Sequence, residues 1–183
     1  MGDKVCAFII GTNCTGKTSA VKEVIRMLGG ATSADKWLTK VANKEWCFAG
    51  KYDEGKFGGV DRWGETKPLA NVVKKGLEQH DIVVCEGVKF HSTGPYLCEA
   101  LFAAQKQVVF LLYAPNEVIH KRLQERSGGG ACKATFECQK ACVRALRRWA
   151  QMGVKTVAIN TNTTSPREVA EIIIKTIKNL ING

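Results

Sequence analysis

Residues 11–18, near the start of the chain, have the types and spacing of a loop that binds phosphate groups. They read Gly-Thr-Asn-Cys-Thr-Gly-Lys-Thr, which matches G-x-x-x-x-G-K-[ST], and they lie between the apolar run 5–10 and the helix-spaced run 19–28. The two glycines allow successive backbone N–H groups to point at phosphate oxygens, and the helix start adds N–H groups and a positive dipole end. Lys17 is expected to reach the β- and γ-phosphates, and Thr18 to offer its hydroxyl to Mg²⁺. We therefore predict that ATP and Mg²⁺ bind at a phosphate loop formed by Gly11, Thr12, Asn13, Cys14, Thr15, Gly16, Lys17 and Thr18.

Carboxylates that follow two other apolar runs are candidates for holding magnesium and for accepting a proton. Glu86 ends the run 82–86, where a magnesium-side carboxylate is expected in a protein with this loop. A kinase also needs a base or an orienting carboxylate near the acceptor hydroxyl. Asp53 is the first choice and Glu86 the second, with loop capping as the competing interpretation of Asp53. The predicted substrate-binding residues are Tyr52, Asp53, Asp61, Arg62 and Lys89, and the aromatic rings of Tyr52, Phe57 and Trp63 are candidates for stacking on a base.

Two arginines further along the chain are suited to phosphoryl transfer. Arg122 and Arg126 follow the apolar run 108–113 and lie four residues apart, so both project from one face of a predicted helix over 115–126. Guanidinium groups in that position can grip the transferring phosphoryl group, and a solvated basic face is the competing interpretation. The glycines at 128–130 favour a mobile lid, at about 122–136, that keeps water from the reacting groups.

The elements that must position these residues alternate between strand and helix. Short apolar runs predict buried strands over 5–10, 82–86, 108–113 and 154–159, with a less regular one over 46–52. Helical spacing covers 19–28, 68–79, 95–104, 115–126, 136–150 and 166–180. This order predicts the α/β class: one three-layer P-loop domain over 1–183, with a parallel sheet of about five strands. Because ligands bind at the carboxyl ends of such strands, Thr161, after the last strand, is a further nucleotide-binding candidate.

Composition limits the class of protein and the compartment. The net charge of +10 and the pI near 9.3 favour a polyanionic substrate or surface. The eight cysteines form no C-x-x-C pair, so we interpret them as reduced thiols of a cytoplasmic protein, with Cys138 and Cys142 packed on one helix face. No apolar run is long enough to span a bilayer, and the first strand begins too early for a signal peptide.

Two resemblances refine the prediction of phosphate chemistry. Small GTPases would carry D-x-x-G and N-K-x-D sequences, and neither occurs in a fitting position. The segment 113–126 instead resembles the strand-to-lid segment of nucleoside and nucleotide kinases. Together with the phosphate loop, 49–62 and 83–87, it resembles a group of small P-loop kinases common in bacteriophages and other viruses. That resemblance implies an ATP- and Mg²⁺-dependent kinase of nucleotides, or of hydroxymethylated pyrimidine bases in viral DNA.

The basic residues after the lid separate the remaining alternatives. Lys140, Arg144 and Arg147 form one stripe of a predicted helix, either a track for a nucleic-acid backbone or a solvated face. The leading prediction is a kinase acting on a hydroxymethyl pyrimidine (5-hydroxymethyluracil) in viral DNA, which needs such a track. A soluble nucleoside or nucleoside monophosphate kinase does not need it. The third alternative is a nucleotide-dependent nucleic-acid-binding module without phosphotransfer, and the lid arginines argue against it.

Overall fold

A computed structural model describes residues 3–34, 37–52, 59–63 and 66–183. The strands are β1 (Val5–Ile10), β2 (Ala31–Ala34), β3 (Leu38–Val41), β4 (Trp46–Ala49), β5 (Ile82–Glu86), β6 (Lys106–Tyr113) and β7 (Lys155–Asn160). The helices are α1 (Lys17–Met27), α2 (Leu69–Gln79), α3 (Pro95–Leu101), α4 (Asn116–Ser127), α5 (Lys133–Gln151) and α6 (Pro166–Asn182). Two short 3₁₀ turns cover Gly59–Trp63 and Val88–Phe90.

The strands form one sheet in the order β2-β3-β4-β5-β1-β6-β7. The five strands from β4 to β7 in this order pair in parallel, whereas β2, β3 and β4 pair antiparallel. The predicted α/β class with a largely parallel sheet is therefore confirmed. Among the described residues the sheet has seven strands instead of about five, because the β2–β3 hairpin at one edge was not predicted.

Both faces of the sheet are covered by helices. Alternate residues of β1 point to opposite sides, so Cys6, Phe8 and Ile10 join a core with residues of α2, α3 and α5. Val5, Ala7 and Ile9 join a second core with α1 and α6. All six residues of β1 are fully buried because the strand pairs with β5 and β6 and is covered on both faces, and the phosphate loop follows its carboxyl end.

Two element boundaries differ from the predictions in ways that affect the site. β4 ends at Ala49 instead of continuing to residue 52. Gly50 has a φ of +98°, and a Cβ there would lie 2.4 Å from the backbone of Gly59, so the chain turns and brings the first 3₁₀ turn against the strand end. α5 begins at Lys133, three residues before the predicted start, which leaves a short connection after α4. No helix in the described ranges is long and apolar enough to cross a membrane.

Candidate active site

The phosphate loop has the backbone geometry that its glycines permit. Gly11 and Gly16 have φ values of +153° and +82°, and Cys14 has a φ of +58°. A Cβ at Gly11 would lie 2.4 Å from the carbonyl oxygen of Leu112 and 2.6 Å from Oγ1 of Thr15, so no side chain fits there. The buried hydroxyl of Thr15 donates to the carbonyl of Thr12 at 2.9 Å. These contacts hold the loop in a tight curl at the start of α1.

Lys17 is the first residue of α1 and lies inside the loop. Its side chain is only 6% exposed, and Nζ donates to the carbonyl oxygens of Gly11 (2.9 Å) and Thr12 (3.0 Å). An ammonium group has three protons to donate. The loop therefore holds a positive charge at its centre, where the amino end of α1 adds to the attraction for an anion.

Thr18 and Glu86 meet below the loop. The hydroxyl of Thr18 donates to Oε1 of Glu86 at 2.9 Å, and Glu86 is fully buried. The pKa of Glu86 is raised to about 7, mainly by burial; Lys17 lowers it, Asp61 raises it, and the Thr18 hydroxyl lowers it. Within the described ranges, Oε2 of Glu86 and the hydroxyl of Tyr52 are buried without a hydrogen-bond partner.

Asp61 lies beside this carboxylate because of a contact that the sequence does not reveal. Both carboxylate oxygens accept from the backbone N–H of Val88, at 2.8 and 3.0 Å. A Cβ at Gly87 would lie 3.0 Å from Oδ1 of Asp61, so the glycine leaves room for the carboxylate. The first 3₁₀ turn thereby places Asp61 in the same cavity as Lys17 and Thr18.

Arg122 joins the phosphate loop to the end of β7. Nη1 donates to the carbonyl oxygen of Cys14 (3.3 Å) and to Oγ1 of Thr161 (3.1 Å), and Nη2 donates to the carbonyl oxygen of Thr161 (2.7 Å). Arg126, one turn later on α4, lies with Nη1 3.8 Å from the sulfur of Cys14. Both guanidinium groups border the cavity, as the i, i+4 spacing predicts for one helix face.

These groups line one cavity of about 750 Å³ at the carboxyl edge of the sheet. Its charged lining residues are the cations Lys17, Arg122 and Arg126 and the carboxylates Asp61 and Glu125. The remaining lining residues are Asn13, Cys14, Gly16, Thr18, Ser19, Thr161, Thr164, Pro166 and Val169. A cavity with this volume and a cationic end is suited to a nucleotide whose phosphates lie on the loop.

Several candidates from the sequence lie elsewhere. The ring of Tyr52 is buried against Phe48, with ring centroids 6.1 Å apart, so its hydroxyl and not its ring faces the site. Trp63 packs edge-on against Trp37. Lys89 lies in the second 3₁₀ turn, outside the cavity lining. Asp53 and Phe57 lie outside the described residues, as does the side chain of Arg62, so their predicted roles stay predictions.

The connection after α4 is held by a residue that was not singled out from the sequence, His120 of α4. The backbone N–H of Ala131 donates to Nδ1 of His120 at 3.1 Å. A Cβ at Gly130 would lie 2.2 Å from the His120 ring, so the chain passes directly over the imidazole. His120 therefore ties the connection between α4 and α5 back onto α4. The proposed lid at 122–136 consists of the end of α4, this connection and the start of α5.

The oxygen groups near the loop fit a magnesium ion. Mg²⁺ prefers oxygen ligands and keeps several waters, and Glu86 has a buried oxygen without a partner next to the Thr18 hydroxyl. In the part of the chain that the structure describes, no group of three or more His, Cys, Asp or Glu side chains forms a metal cage. A magnesium ion that binds together with the nucleotide needs no such cage, because phosphate oxygens and waters supply its other ligands.

The basic stripe on α5 faces solvent. Lys140, Arg144 and Arg147 are exposed, whereas Cys142, Ala145 and Trp149 are buried on the opposite side of the helix. Lys140 pairs with Glu137 at 2.9 Å. The geometry fits both a nucleic-acid track and a solvated face, so the alternatives from the sequence both remain.

Comparisons with known proteins support the fold. No protein-family model matches the chain, and no curated protein matches it significantly. A sugar kinase from Janibacter is 16% identical, with 96% of this chain and 95% of that chain covered and a TM-score of 0.58. The YorR protein from Bacillus subtilis, solved in complex with phosphorylated GDP, is 15% identical, with 94% and 95% covered and a TM-score of 0.55. Shikimate kinase from Acinetobacter baumannii, solved with shikimate, is 16% identical, with 96% and 94% covered and a TM-score of 0.54.

Identities this low show the fold alone, and that fold is the one of small P-loop kinases. The predicted P-loop kinase fold is thus confirmed at this level. None of the three proteins is named as a viral nucleotide kinase, so the finer resemblance to that group stays a prediction.

Proposed function

We propose that this protein transfers the γ-phosphoryl group of ATP, with Mg²⁺, to a hydroxyl group of a small acceptor molecule. The observation that carries the proposal is the convergence of Lys17, Thr18 and Asp61 on one cavity beside the buried carboxylate of Glu86. A loop that merely bound phosphate would not need two carboxylates next to its lysine, because each repels an anion. A phosphotransferase needs both, one on the metal side and one on the acceptor side.

Each group has a role that follows from its position. Lys17 and the N–H groups at the start of α1 hold the phosphates. Thr18 and Glu86 would hold Mg²⁺, which neutralises charge on the β- and γ-phosphate oxygens when it is bound. Arg122 and Arg126, which border the same cavity, would contact the transferring group.

Asp61 is our candidate for orienting the acceptor hydroxyl and accepting its proton. Its carboxylate is held by the N–H of Val88 and borders the cavity near Thr18, so it is fixed before an acceptor arrives. Sequence reasoning favoured Asp53 for this task. Asp53 lies outside the described residues and remains a second candidate.

The acceptor class is open to a direct test. The neighbours named as sugar kinase and shikimate kinase favour a small hydroxylated acceptor, while the nucleotide complex of YorR is compatible with a nucleotide acceptor. The hydroxymethyl pyrimidine in DNA is the finer prediction from the sequence, and the exposed stripe on α5 is the feature that it would use.

The experiment offers γ-labelled ATP and Mg²⁺ with four separate acceptor sets. These are sugars and hydroxy acids, free nucleosides and nucleotides, ordinary DNA, and DNA that contains 5-hydroxymethyluracil. We expect label in one of the two small-molecule sets. Label in hydroxymethylated DNA alone would move the assignment to the DNA kinase, and a Lys140→Ala, Arg144→Ala, Arg147→Ala variant should then lose that labelling. Absence of transfer to every set, with ATP binding intact, would contradict the proposal.

A further inference from the structure

One side chain of the phosphate loop is bonded to α5 and does not line the nucleotide cavity. The hydroxyl of Thr12 donates to the carbonyl oxygen of Thr135, the third residue of α5, at 3.0 Å. Thr12 is only 1% exposed and is not among the residues that line the cavity. Because a buried hydroxyl without a partner is destabilising, this bond between residues 123 positions apart holds the loop and the helix together.

The backbone of the same residue is bound to the lysine of the loop. The carbonyl oxygen of Thr12 accepts from Nζ of Lys17 at 3.0 Å and from the hydroxyl of Thr15 at 2.9 Å. Phosphates that bind in the loop compete with this carbonyl for the protons of Nζ. Thr12 is therefore the residue through which a change at Lys17 reaches the start of α5.

The start of α5 is also one end of the proposed lid at 122–136. At the other end of that segment, Nη1 of Arg122 donates to the carbonyl oxygen of Cys14 at 3.3 Å. The phosphate loop thus contacts both ends of the lid, through Cys14 at the α4 end and through Thr12 at the α5 end.

We propose that Thr12 is a positioning residue that fixes the α5 end of the lid to the phosphate loop, so that the transferring phosphoryl group meets the acceptor and not water. The second half of this statement rests on the proposed function, whereas the fixing of the lid does not. In the side reaction, a water oxygen attacks the γ-phosphorus, the bond to the bridging oxygen breaks, and ADP, inorganic phosphate and a proton are formed. A lid that is held in place excludes this water. Loss of the Thr12 bond should therefore raise hydrolysis relative to transfer.

Hydrogen–deuterium exchange of the unliganded protein tests the fixing of the lid. Thr12→Val keeps the branched shape of the side chain and removes the hydroxyl. We expect residues 128–136, which include the hydrogen-bonded N–H groups of Ala131 and Thr135, to exchange about fivefold faster in this variant, the factor that corresponds to one lost hydrogen bond. Exchange in β1 should not change comparably. Thr12→Ser keeps the hydroxyl and should show the exchange of the wild type.

Thr39→Val is the matched control. The hydroxyl of Thr39, in β3, is also fully buried and donates to a backbone carbonyl, that of Gly50, at 2.8 Å. This variant should be destabilised to a similar degree and show wild-type exchange in 128–136. Wild-type exchange of this segment in Thr12→Val, or equal acceleration in both valine variants, would overturn the proposal. Should Thr12→Val not fold, Thr12→Ala is compared with Thr39→Ala in the same way.

The ratio of ATP hydrolysis to phosphoryl transfer tests the catalytic consequence. Free labelled phosphate and labelled product are measured in one reaction, with γ-labelled ATP and the acceptor that the wild type uses. We expect this ratio to rise about fivefold in Thr12→Val and to return to the wild-type value in Thr12→Ser. A loss of folded protein alone lowers both rates by the same factor, so an unchanged ratio would refute the catalytic role of Thr12. A wild type that transfers label to no acceptor would contradict the proposed function, and the exchange experiment would still decide whether Thr12 fixes the lid.

Discussion

Replacing Glu86 with glutamine should make the unliganded protein more stable at pH 8 and abolish its magnesium-dependent activity. The carboxyl ordinarily ionises near pH 4.5, and its pKa in the folded protein is about 7, chiefly because it is buried. Between these two values the folded state keeps a proton that the unfolded chain has released. The contribution of the protonated Glu86 to the free energy of unfolding is therefore fully present below pH 4.5, and it is lost as the pH rises through the pKa of the folded state.

The size of the effect follows from the two pKa values. A separation from 4.5 to 7 corresponds to about 3 kcal/mol in total at about 1.4 kcal/mol per unit. The unfolded group is already mostly ionised at pH 5, so the part lost between pH 5 and pH 8 is about 2–3 kcal/mol. Glutamine has nearly the same shape and cannot ionise, so Glu86→Gln should lose none of this amount.

Urea unfolding at pH 5 and at pH 8, without nucleotide and with a chelator, measures the difference. The buried Trp46 and Trp149 provide the fluorescence signal. Glu78→Gln, at an exposed position of α2, controls for the loss of one negative charge. We expect the wild type and Glu78→Gln to lose about 2–3 kcal/mol more than Glu86→Gln over this range. An equal loss of unfolding free energy in all three proteins would refute the reasoning that the burial of Glu86 makes its ionised form destabilising.

Three further substitutions test other parts of the site. Gly11→Ala should lower the free energy of unfolding by about 1–3 kcal/mol and remove ATP binding, because its Cβ would meet the carbonyl of Leu112. Gly153→Ala is the control, since Gly153 has a φ of +80° and open space around it. In that control, thermal unfolding should show only the strain of the backbone, and isothermal titration should show normal ATP binding. Arg122→Lys should lower kcat by about tenfold or more, since an ammonium group cannot replace the guanidinium that joins Cys14 to Thr161. Steady-state kinetics compare this variant with Lys121→Ala, at an exposed position of the same helix, and equal kcat values for the two variants would refute the prediction. Asp61→Asn should lower kcat by about 10²–10⁴ with little change in ATP affinity, and a kcat near that of the wild type would remove Asp61 as the proton acceptor.

The parts of the fold that were predicted correctly are those with a strong local pattern. β1 and β5 are runs of buried apolar residues that end where the sequence predicts, and the phosphate loop follows β1 directly. The β2–β3 hairpin was missed because β2 reads Ala-Thr-Ser-Ala and all four residues are exposed. No burial pattern distinguishes such an edge strand from a loop.

Asp61 and Arg122 were candidates from the sequence, but the contacts between distant residues that place them in the site could not be predicted. Asp61 reaches the cavity through the N–H of Val88, 27 residues away, and Arg122 binds Thr161, 39 residues away. The i, i+4 spacing of Arg122 and Arg126 predicted their common face, but it carried no information on their partners. By contrast, Cys138 and Cys142 were interpreted as core packing, and this is confirmed, because Cys142 is a buried core residue and Cys138 packs against the same core.

The most direct test of phosphoryl transfer compares the wild type with Lys17→Ala. Both proteins are incubated with γ-labelled ATP, Mg²⁺ and the acceptor set that gave label, and labelled product is measured after circular dichroism has shown that both are folded. Lys17 lies at the centre of the loop and is the cation nearest to where the phosphates would lie. We predict that the wild type forms labelled product and that folded Lys17→Ala forms essentially none. Labelled product from the variant at a rate near that of the wild type would contradict the assignment of this loop as the site of phosphoryl transfer.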